Sequence, residues 1–459
     1  MREEQFDLVV IGSGSGLDVA IGLVEAGWRV AVVEKGEPGG TCLNRGCIPS
    51  KMLIHSADLA RAIRGAQTFG LHARIERIDY AALMRRVREH VDGDSNGMRE
   101  GLRESGNARY FEGEGGFVGP KRLAVGDVIL TADKFLLATG ARPKIPDIPG
   151  LKEAGFWTST DALREPELPE SIVIIGGGFI AAELGHFFGA LGTRVTIVQK
   201  HDVLLPREDR EVSEAFTAAF SRSHDVRLES KVTRVEKLAR GKRVTIRGKA
   251  GRESVVECSH VLVAAGVTPN SDALDLPKSG VAVDKRGYIV VDQFLETNVP
   301  GIYALGDVVG RFLLKHNANH EGQYVYNNLL NPNDKIPADY GVMPRAVFSD
   351  PQVAAVGAAE QQLRESGVEY LVGRYSYEHT GMGSALAEKD GFVKILADAE
   401  SGRILGCHIL GPDASTLIHE VLVVMTLGAP VEVLARTVHI HPALSEVVQR
   451  AAGALKKPE

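Results

Sequence analysis

Cysteine is scarce, with four residues among 459, which excludes a scaffold held together by a disulfide framework. Two of them, Cys258 and Cys407, stand alone in strand-like sequence and read as small buried hydrophobes. No window approaches the roughly eighteen consecutive apolar residues that a membrane span needs. The apolar stretch Phe6 to Ile11, behind charged Met1-Arg2-Glu3-Glu4, is too short for the core of a secretory signal. A cytoplasmic location is therefore expected. No block of Lys or Arg appears, and the formal net charge of −6 is small for this length, so neither a nucleic acid nor a membrane is indicated as partner. A small neutral or mixed-charge substrate stays open.

What is present is ordinary globular material: 44% hydrophobic and 24% charged residues fit poorly with disorder. The 51 glycines imply many tight turns. The length exceeds what a single core usually organises, so two to four domains are expected.

One pattern occurs twice. Residues 5 to 35 read as strand (Phe6 to Ile11), glycine loop (Gly12-Ser13-Gly14-Ser15-Gly16), helix (about 17 to 26) and strand (Arg29 to Val33), closing at Glu34. Residues 171 to 200 repeat it, with strand Ile172 to Ile175, loop Gly176-Gly177-Gly178, helix 179 to 191 and strand Arg194 to Val198. Two such units predict an α/β protein with two doubly wound, Rossmann-like nucleotide-binding domains on parallel sheets. From Pro344 onward, strands (Phe392 to Leu396, Ile404 to Leu410) followed by helices (413 to 428, 442 to 454) predict a third, α+β domain. Between the two units, residues 52 to 105 show helical apolar spacing, and residues 224 to 265 alternate as a meander. Polar, glycine-rich stretches near 92 to 97 and 113 to 119 are expected to be turns, and Pro143, Pro146 and Pro149 an exit linker.

A strand that ends in a glycine loop opening a helix gathers free N–H groups at a positive helix end, where a pyrophosphate binds. Gly12 permits the turn and Gly14 the close approach, and Glu34 can accept hydrogen bonds from a ribose hydroxyl. The position where a third glycine eases packing holds Leu17 in the first loop and Ala181 in the second. The second strand ends in Gln199-Lys200-His201, with no carboxylate for a ribose. Lys200, His201 and Arg207 suit a 2′-phosphate, which favours NADPH with NADH still possible. A solvated basic turn is the plainer alternative.

Cys42 and Cys47 stand five apart in Gly39-Gly40-Thr41-Cys42-Leu43-Asn44-Arg45-Gly46-Cys47-Ile48-Pro49-Ser50-Lys51. In a regular helix their Cα atoms would be about 8 to 9 Å apart, beyond the roughly 7 Å limit for a disulfide. Bonding requires a distorted turn, which Gly46 and Pro49 favour. So small a ring contributes only about 2 kcal/mol to stability. A redox role explains the pair better, with Arg45 or Lys51 favouring the thiolate. A metal site lacks a second pair of ligands nearby. Two unrelated thiols are the remaining alternative.

Six segments together resemble the FAD-dependent pyridine nucleotide-disulfide oxidoreductases: the first glycine loop, Gly39 to Lys51, Ala138-Thr139-Gly140, Gly176 to Glu183, Thr297 to Asp307, and His439-Ile440-His441-Pro442-Ala443-Leu444-Ser445-Glu446. The resemblance runs nearly end to end. It implies FAD held by Gly12, Gly14, Gly16, Glu34, Thr41, Lys51, Thr139, Gly140 and Asp307, and a nicotinamide nucleotide held by Gly176, Gly178, Lys200, His201 and Gly266. It also implies Lys51 paired with Glu183 beside the flavin, Cys47 as the flavin-facing thiolate, Cys42 as the thiol that attacks substrate, and His441, oriented by Glu446, as acid-base. His439 reads as structural. In that family the acid-base histidine comes from the partner subunit, which implies a homodimer with a shared active site and a small disulfide substrate. The domain division it implies is 1–150 and 271–343 for FAD, 151–270 for NAD(P) and 344–459 for the interface. Phe179 to Glu183 and Leu313 to Glu321 look most like mycothione reductase, while a dihydrolipoyl dehydrogenase and a nonenzymatic nucleotide-redox sensor remain alternatives.

Overall fold

The computed structural model describes residues 1–458, which fall into two compact units, each assembled from several chain segments. Unit 1 comprises Met1–Ser50, Ala81–Lys144 and Gly266–Asp339. Its centre is strand Arg2–Ile11, whose apolar end Leu8-Val9-Val10-Ile11 is buried on both faces. Strands Val30–Glu34 and Val128–Leu137 flank it in parallel, Ala108–Glu112 adds to the Val30–Glu34 edge, and Ile302–Ala304 also pairs in parallel with Val128–Leu137. An antiparallel pair, Arg122–Val125 and Gly115–Gly119, completes seven strands. Helices Ser15–Glu25 and Lys315–Leu330 pack on one face, where Leu17, Leu23, Val325 and Leu329 meet Leu8 and Val10 of the central strand.

Unit 2 comprises Lys51–Tyr80, Ile145–Ala265 and Tyr340–Glu459. A parallel four-stranded sheet runs in the order Asp225–Arg227, Arg194–Val198, Ser171–Ile175, His260–Val263. Helix Phe179–Ala190 follows the second glycine loop, and an antiparallel meander, Lys231–Lys237, Lys242–Arg247 and Glu253–Cys258, shares an apolar core with this sheet. The C-terminal part is a five-stranded antiparallel sheet, ordered Arg345–Val347, Val353–Gly357, Ile404–Leu410, Phe392–Asp398, Tyr370–Ser376. Helices Ala414–Thr426 and Glu446–Gly453 pack on it through Ile418, Val421, Val447 and Val448. The α/β class with a C-terminal α+β part is as expected. Among the described residues, no helix is long and apolar enough to cross a membrane.

The turn expected at 92–97 is instead the middle of helix Tyr80–Glu104. Met84, Val87, Val91, Ser95 and Leu102 form a buried stripe at helical spacing, while Gly93, Gly97 and Gly101 fall on the exposed side. Each glycine costs about 1 kcal/mol against alanine, which packing of the stripe outweighs. The 113–119 segment is also not one turn. Gly115–Gly119 is a strand that buries Phe117, and its glycines suit a crowded site, since a Cβ on Gly115 would stand 3.0 Å from Leu123. The last helix begins at Glu446 rather than 442, because Glu446 caps the turn before it by accepting the Ala443 N–H at 3.2 Å.

Candidate active site

In unit 1 the first glycine loop is fixed by crowding. Gly12 has φ +103°, and a Cβ there would lie 2.3 Å from the Ala138 carbonyl oxygen. A Cβ on Gly16 would meet Ala138 and Val10 at 2.8 and 3.0 Å, so Gly16 supplies the tight helix–strand packing that Leu17, one residue on, cannot. Glu34, buried at the end of its strand, accepts from the Ser13 N–H (2.9 Å), the Ser13 hydroxyl (2.8 Å) and the Gly36 N–H (2.8 Å). It thereby pins the loop, and a carboxylate has further lone pairs for a ribose hydroxyl.

The cysteine segment leans on this loop. Gly39 and Gly40 have positive φ, the Gly39 N–H donates to the Ser13 carbonyl, and a Cβ on Gly40 would stand 2.9 Å from Gly14 Cα. Thr41 and Cys42 lie in the short helix Gly40–Arg45, which stops at Gly46 (φ −142°, ψ −113°), and a second helix, Cys47–Gly65, starts at once. A Cβ on Gly46 would be 2.8 Å from the Thr41 carbonyl oxygen. This is the break that the five-residue spacing demanded. Across it Cys42 and Cys47 hydrogen-bond as thiols. That bond, then burial, holds the Cys42 thiol well above its ordinary range, and the Lys315 ammonium opposes the rise.

Thr139, Gly140 and Asp307 also belong to unit 1. The Thr139 hydroxyl is buried with no partner among the described residues, and Gly140 has φ +66°. The Asp307 carboxyl is pushed up to about 6 by burial and then by the nearby Glu321 charge, and it accepts no hydrogen bond among the described residues. Fully buried Glu321 accepts from the Gly306 N–H at 2.6 Å and from Asn317 at 3.1 Å. An orphaned hydroxyl, a desolvated carboxylate without a donor and a glycine cradle all fit a ligand rich in hydroxyl and phosphate groups, as FAD is.

In unit 2 the second loop repeats the first. Gly176 has φ +120°, with the Ala264 carbonyl oxygen 2.3 Å from a would-be Cβ, and Gly178 faces open space. Gln199 ends the strand, buried, donating to the Val203 carbonyl (3.4 Å) and accepting from the Lys200 N–H (2.8 Å). The side chains of Lys200, His201 and Arg207 are exposed and make no hydrogen bond or ion pair among the described residues. Gly266, with φ +103°, belongs to unit 1 and accepts from the Lys144 N–H.

Lys51, one turn beyond Cys47, meets Glu183 of helix Phe179–Ala190 at 2.8 and 3.0 Å. Glu183 is buried and also accepts the Phe348 N–H at 3.0 Å, while the Lys51 ammonium sits 4.5 Å from the Phe348 ring centre. His441 Nδ1 faces both Glu446 oxygens, at 3.0 and 3.2 Å. The bond to His441, then the Ala443 N–H, hold the Glu446 carboxyl below its usual range. The His441 side chain is 76% exposed, leaving Nε2 open to a reactant. His439 is different in kind: its side chain is only 6% exposed, and its Nε2 lies 3.0 Å from Glu420.

Sequence reasoning missed three contributors. Lys315 donates to Ser15 (2.9 Å) and Asn319 (2.7 Å) besides acting on Cys42. Buried Asn44 donates to the Glu37, Pro38 and Gly40 carbonyls and ties down the cysteine turn. Glu321 is the third. Asn44 lay between the cysteines, so a polar residue inside a redox segment was the available signal; the other two are brought in by folding.

Paired glycine loops, a cysteine pair across a helix break and a histidine–carboxylate couple define an enzyme that exchanges electrons between a nucleotide and a disulfide. The chain belongs to the pyridine nucleotide-disulphide oxidoreductase family, which matches residues 6–322, and that family's dimerisation domain matches residues 343–452. Family membership carries FAD and a nicotinamide nucleotide as cofactors. It is 38% identical to mycothione reductase of Mycobacterium tuberculosis, with 98% of this chain and 99% of that protein covered. It is 35% identical to mitochondrial dihydrolipoyl dehydrogenase of Pisum sativum, covering 98% and 91%. Among solved structures, the HOCl-induced flavoprotein disulfide reductase RclA from Escherichia coli superimposes with a TM-score of 0.87 at 29% identity, covering 97% of this chain and 99% of that one.

Proposed function

We propose that this enzyme uses NADPH to reduce a low-molecular-weight disulfide of the mycothione type, as a homodimer in the cytoplasm. The observation that carries the nucleotide choice is Gln199 where a carboxylate would otherwise meet the ribose, followed by exposed Lys200, His201 and Arg207. An amide does not repel a 2′-phosphate, and the exposed Lys200 and Arg207 cations attract one. Gly176 and Gly178 cradle the pyrophosphate. Gly12, Gly14, Gly16, Glu34, Thr41, Lys51, Thr139, Gly140 and Asp307 hold FAD, and Gly266 borders the nucleotide. FAD, when bound, relays two electrons from the nucleotide to the Cys42–Cys47 disulfide.

The chain's own groups carry the rest. Reduction leaves Cys42 and Cys47 sharing one proton, as their hydrogen bond allows. As Cys42 attacks one sulfur of the substrate disulfide, His441 takes the proton the pair shares and gives it to the thiolate expelled when the mixed disulfide forms. Cys47 then attacks Cys42, releasing the second thiolate and restoring the intramolecular disulfide. Glu446 holds the His441 ring by Nδ1 and stabilises its charged form. The exposure of His441 in the single chain supports its use by a partner subunit.

The 35% identity to a dihydrolipoyl dehydrogenase supports a second reading, NAD-dependent oxidation of dihydrolipoamide inside a larger assembly. Oxidation of NADPH and NADH, measured in parallel with mycothione, glutathione disulfide, bis-glutamylcystine and lipoamide, separates the two. Fastest turnover with NADPH and mycothione is expected; preference for NADH and lipoamide favours the second reading. Cys42→Ser is expected to keep flavin reduction and lose disulfide turnover, and retained turnover removes Cys42 from the attacking role.

A further inference from the structure

The turn that follows the second glycine loop is held from an unexpected direction. Residues 200–209 leave strand Arg194–Val198, pass Leu205 and reach Asp209, the residue that caps helix Arg210–Ser221. Leu205, at φ +51°, donates its N–H to the Gly177 carbonyl at 2.8 Å, so the glycine loop and the turn are one connected piece of backbone. The Leu205 carbonyl in turn accepts from the Ser213 hydroxyl (2.8 Å) and the Glu208 N–H (3.0 Å).

At its far end the turn meets the C-terminal antiparallel sheet. Lys394, on strand Phe392–Asp398, points its ammonium at Asp209 (2.9 Å), Glu211 (3.2 Å) and Glu360 (2.6 Å), with a side chain only 3% exposed against 0% for Asp209. Asp209 also accepts the Glu360 N–H at 2.9 Å. Arg345 pairs with Glu208 at 2.9 Å, and Gln361 donates to the Glu208 carbonyl at 2.9 Å. A buried ammonium shared by three carboxylates is held only where all its partners are in place, because desolvation makes any unpaired member costly. Such a cluster tolerates little displacement and fixes the backbone to which it is joined.

We propose that Lys394 is a positioning residue for the nicotinamide nucleotide: through Asp209 and Leu205, it sets the 200–209 turn and the Gly177 carbonyl against the nucleotide's ribose and phosphate. This rests on the nucleotide role assigned above to the second loop. Lys394 contributes nothing to the cysteine chemistry, so its effect falls on one half of the reaction alone.

The test uses the FAD-loaded enzyme and two anaerobic half-reactions. Flavin reduction is followed as a function of NADPH concentration, and reoxidation of dithionite-reduced enzyme is followed with dithiobis-nitrobenzoate, which needs no nucleotide. Lys394→Met is expected to raise the NADPH concentration for half-maximal reduction roughly ten-fold, the scale of a small misplacement of binding groups. Reoxidation should stay unchanged, and Lys394→Arg should restore most of the affinity. If Lys394→Met does not fold, Asp209→Asn keeps the shape, weakens the same link and is expected to give the same one-sided loss. Unchanged nucleotide dependence in the folded variants, or an equal loss in both half-reactions, overturns the proposal. If the unaltered enzyme is reduced by neither NADPH nor NADH, the nucleotide reading of the second loop falls as well.

Discussion

The two glycine loops differ less in backbone than in what stands at the end of the next strand. Gly12 and Gly176 both take positive φ, and a Cβ on either would lie 2.3 Å from a carbonyl oxygen of the neighbouring strand's end, Ala138 or Ala264. The turn is thus set by the same collision avoided twice. At the strand end the first loop has Glu34, bonded to two donors of Ser13 in the loop and to the Gly36 N–H, and the second has Gln199, bonded to its own turn. A carboxylate accepts from ribose hydroxyls and repels phosphate, whereas an amide does neither strongly. The backbone geometry of each loop suits a pyrophosphate, and in the function proposed above the strand-end side chain separates their nucleotides.

Filling each cradle with a methyl group is expected to have the largest effect. Gly12→Ala and Gly176→Ala each force a carbonyl collision and a strained φ, on the order of 3 kcal/mol locally. Gly12→Ala is expected to purify without flavin. Gly176→Ala should keep its flavin but lose roughly 100-fold in NADPH-driven flavin reduction, a loss set by misplaced phosphates. If both variants fail in the same way, the loops do not have separate ligands.

Next in size is Gln199→Glu, which makes the second loop resemble the first. The ratio of NADPH to NADH specificity, from kcat/KM for each, should fall roughly ten-fold, about 1.4 kcal/mol. No change would mean that the strand-end residue does not select the nucleotide.

Asp307 lies on the side of the first loop, in unit 1. Its carboxyl titrates at about 6 against 3.8 for an ordinary aspartate. The folded apoprotein therefore binds this proton more tightly than the unfolded chain does. The resulting stability is fully present below about pH 4 and is lost as pH rises through about 6, up to about 3 kcal/mol in all. Asp307→Asn should remove that loss, raising the melting temperature of the apoprotein at pH 7 while weakening FAD retention. A lower melting temperature would show that Asp307 is not strained by burial. The smallest effect expected lies outside both loops: Gly93→Ala, on the exposed side of helix Tyr80–Glu104, should stabilise by about 0.5–1 kcal/mol in thermal unfolding.

Much of this was legible in the sequence because local chemistry and fold agree there. Gly12, Gly176 and the strands around them are punctuated by the turn itself, and the spacing of Cys42 and Cys47 already required the break found at Gly46. Helix Tyr80–Glu104 was misread where glycine propensity opposed an apolar stripe and packing won. The roles of Lys315, Glu321 and Lys394 were not legible for another reason. Each acts on residues far away in sequence, Lys315 on Cys42, Glu321 on the Gly306 N–H and Asp307, and Lys394 on Asp209, and no periodicity announces such a meeting.

In the proposed reaction, electrons from a nicotinamide nucleotide arrive at Cys42 and Cys47. Anaerobic addition of NADPH to the oxidised, FAD-loaded enzyme, followed by thiol quantification without unfolding, tests it directly. A gain of reactive thiol is expected in the unaltered enzyme and none in Cys42→Ser, where no disulfide is left to open. Flavin reduction without any gain of thiol in the unaltered enzyme would contradict it.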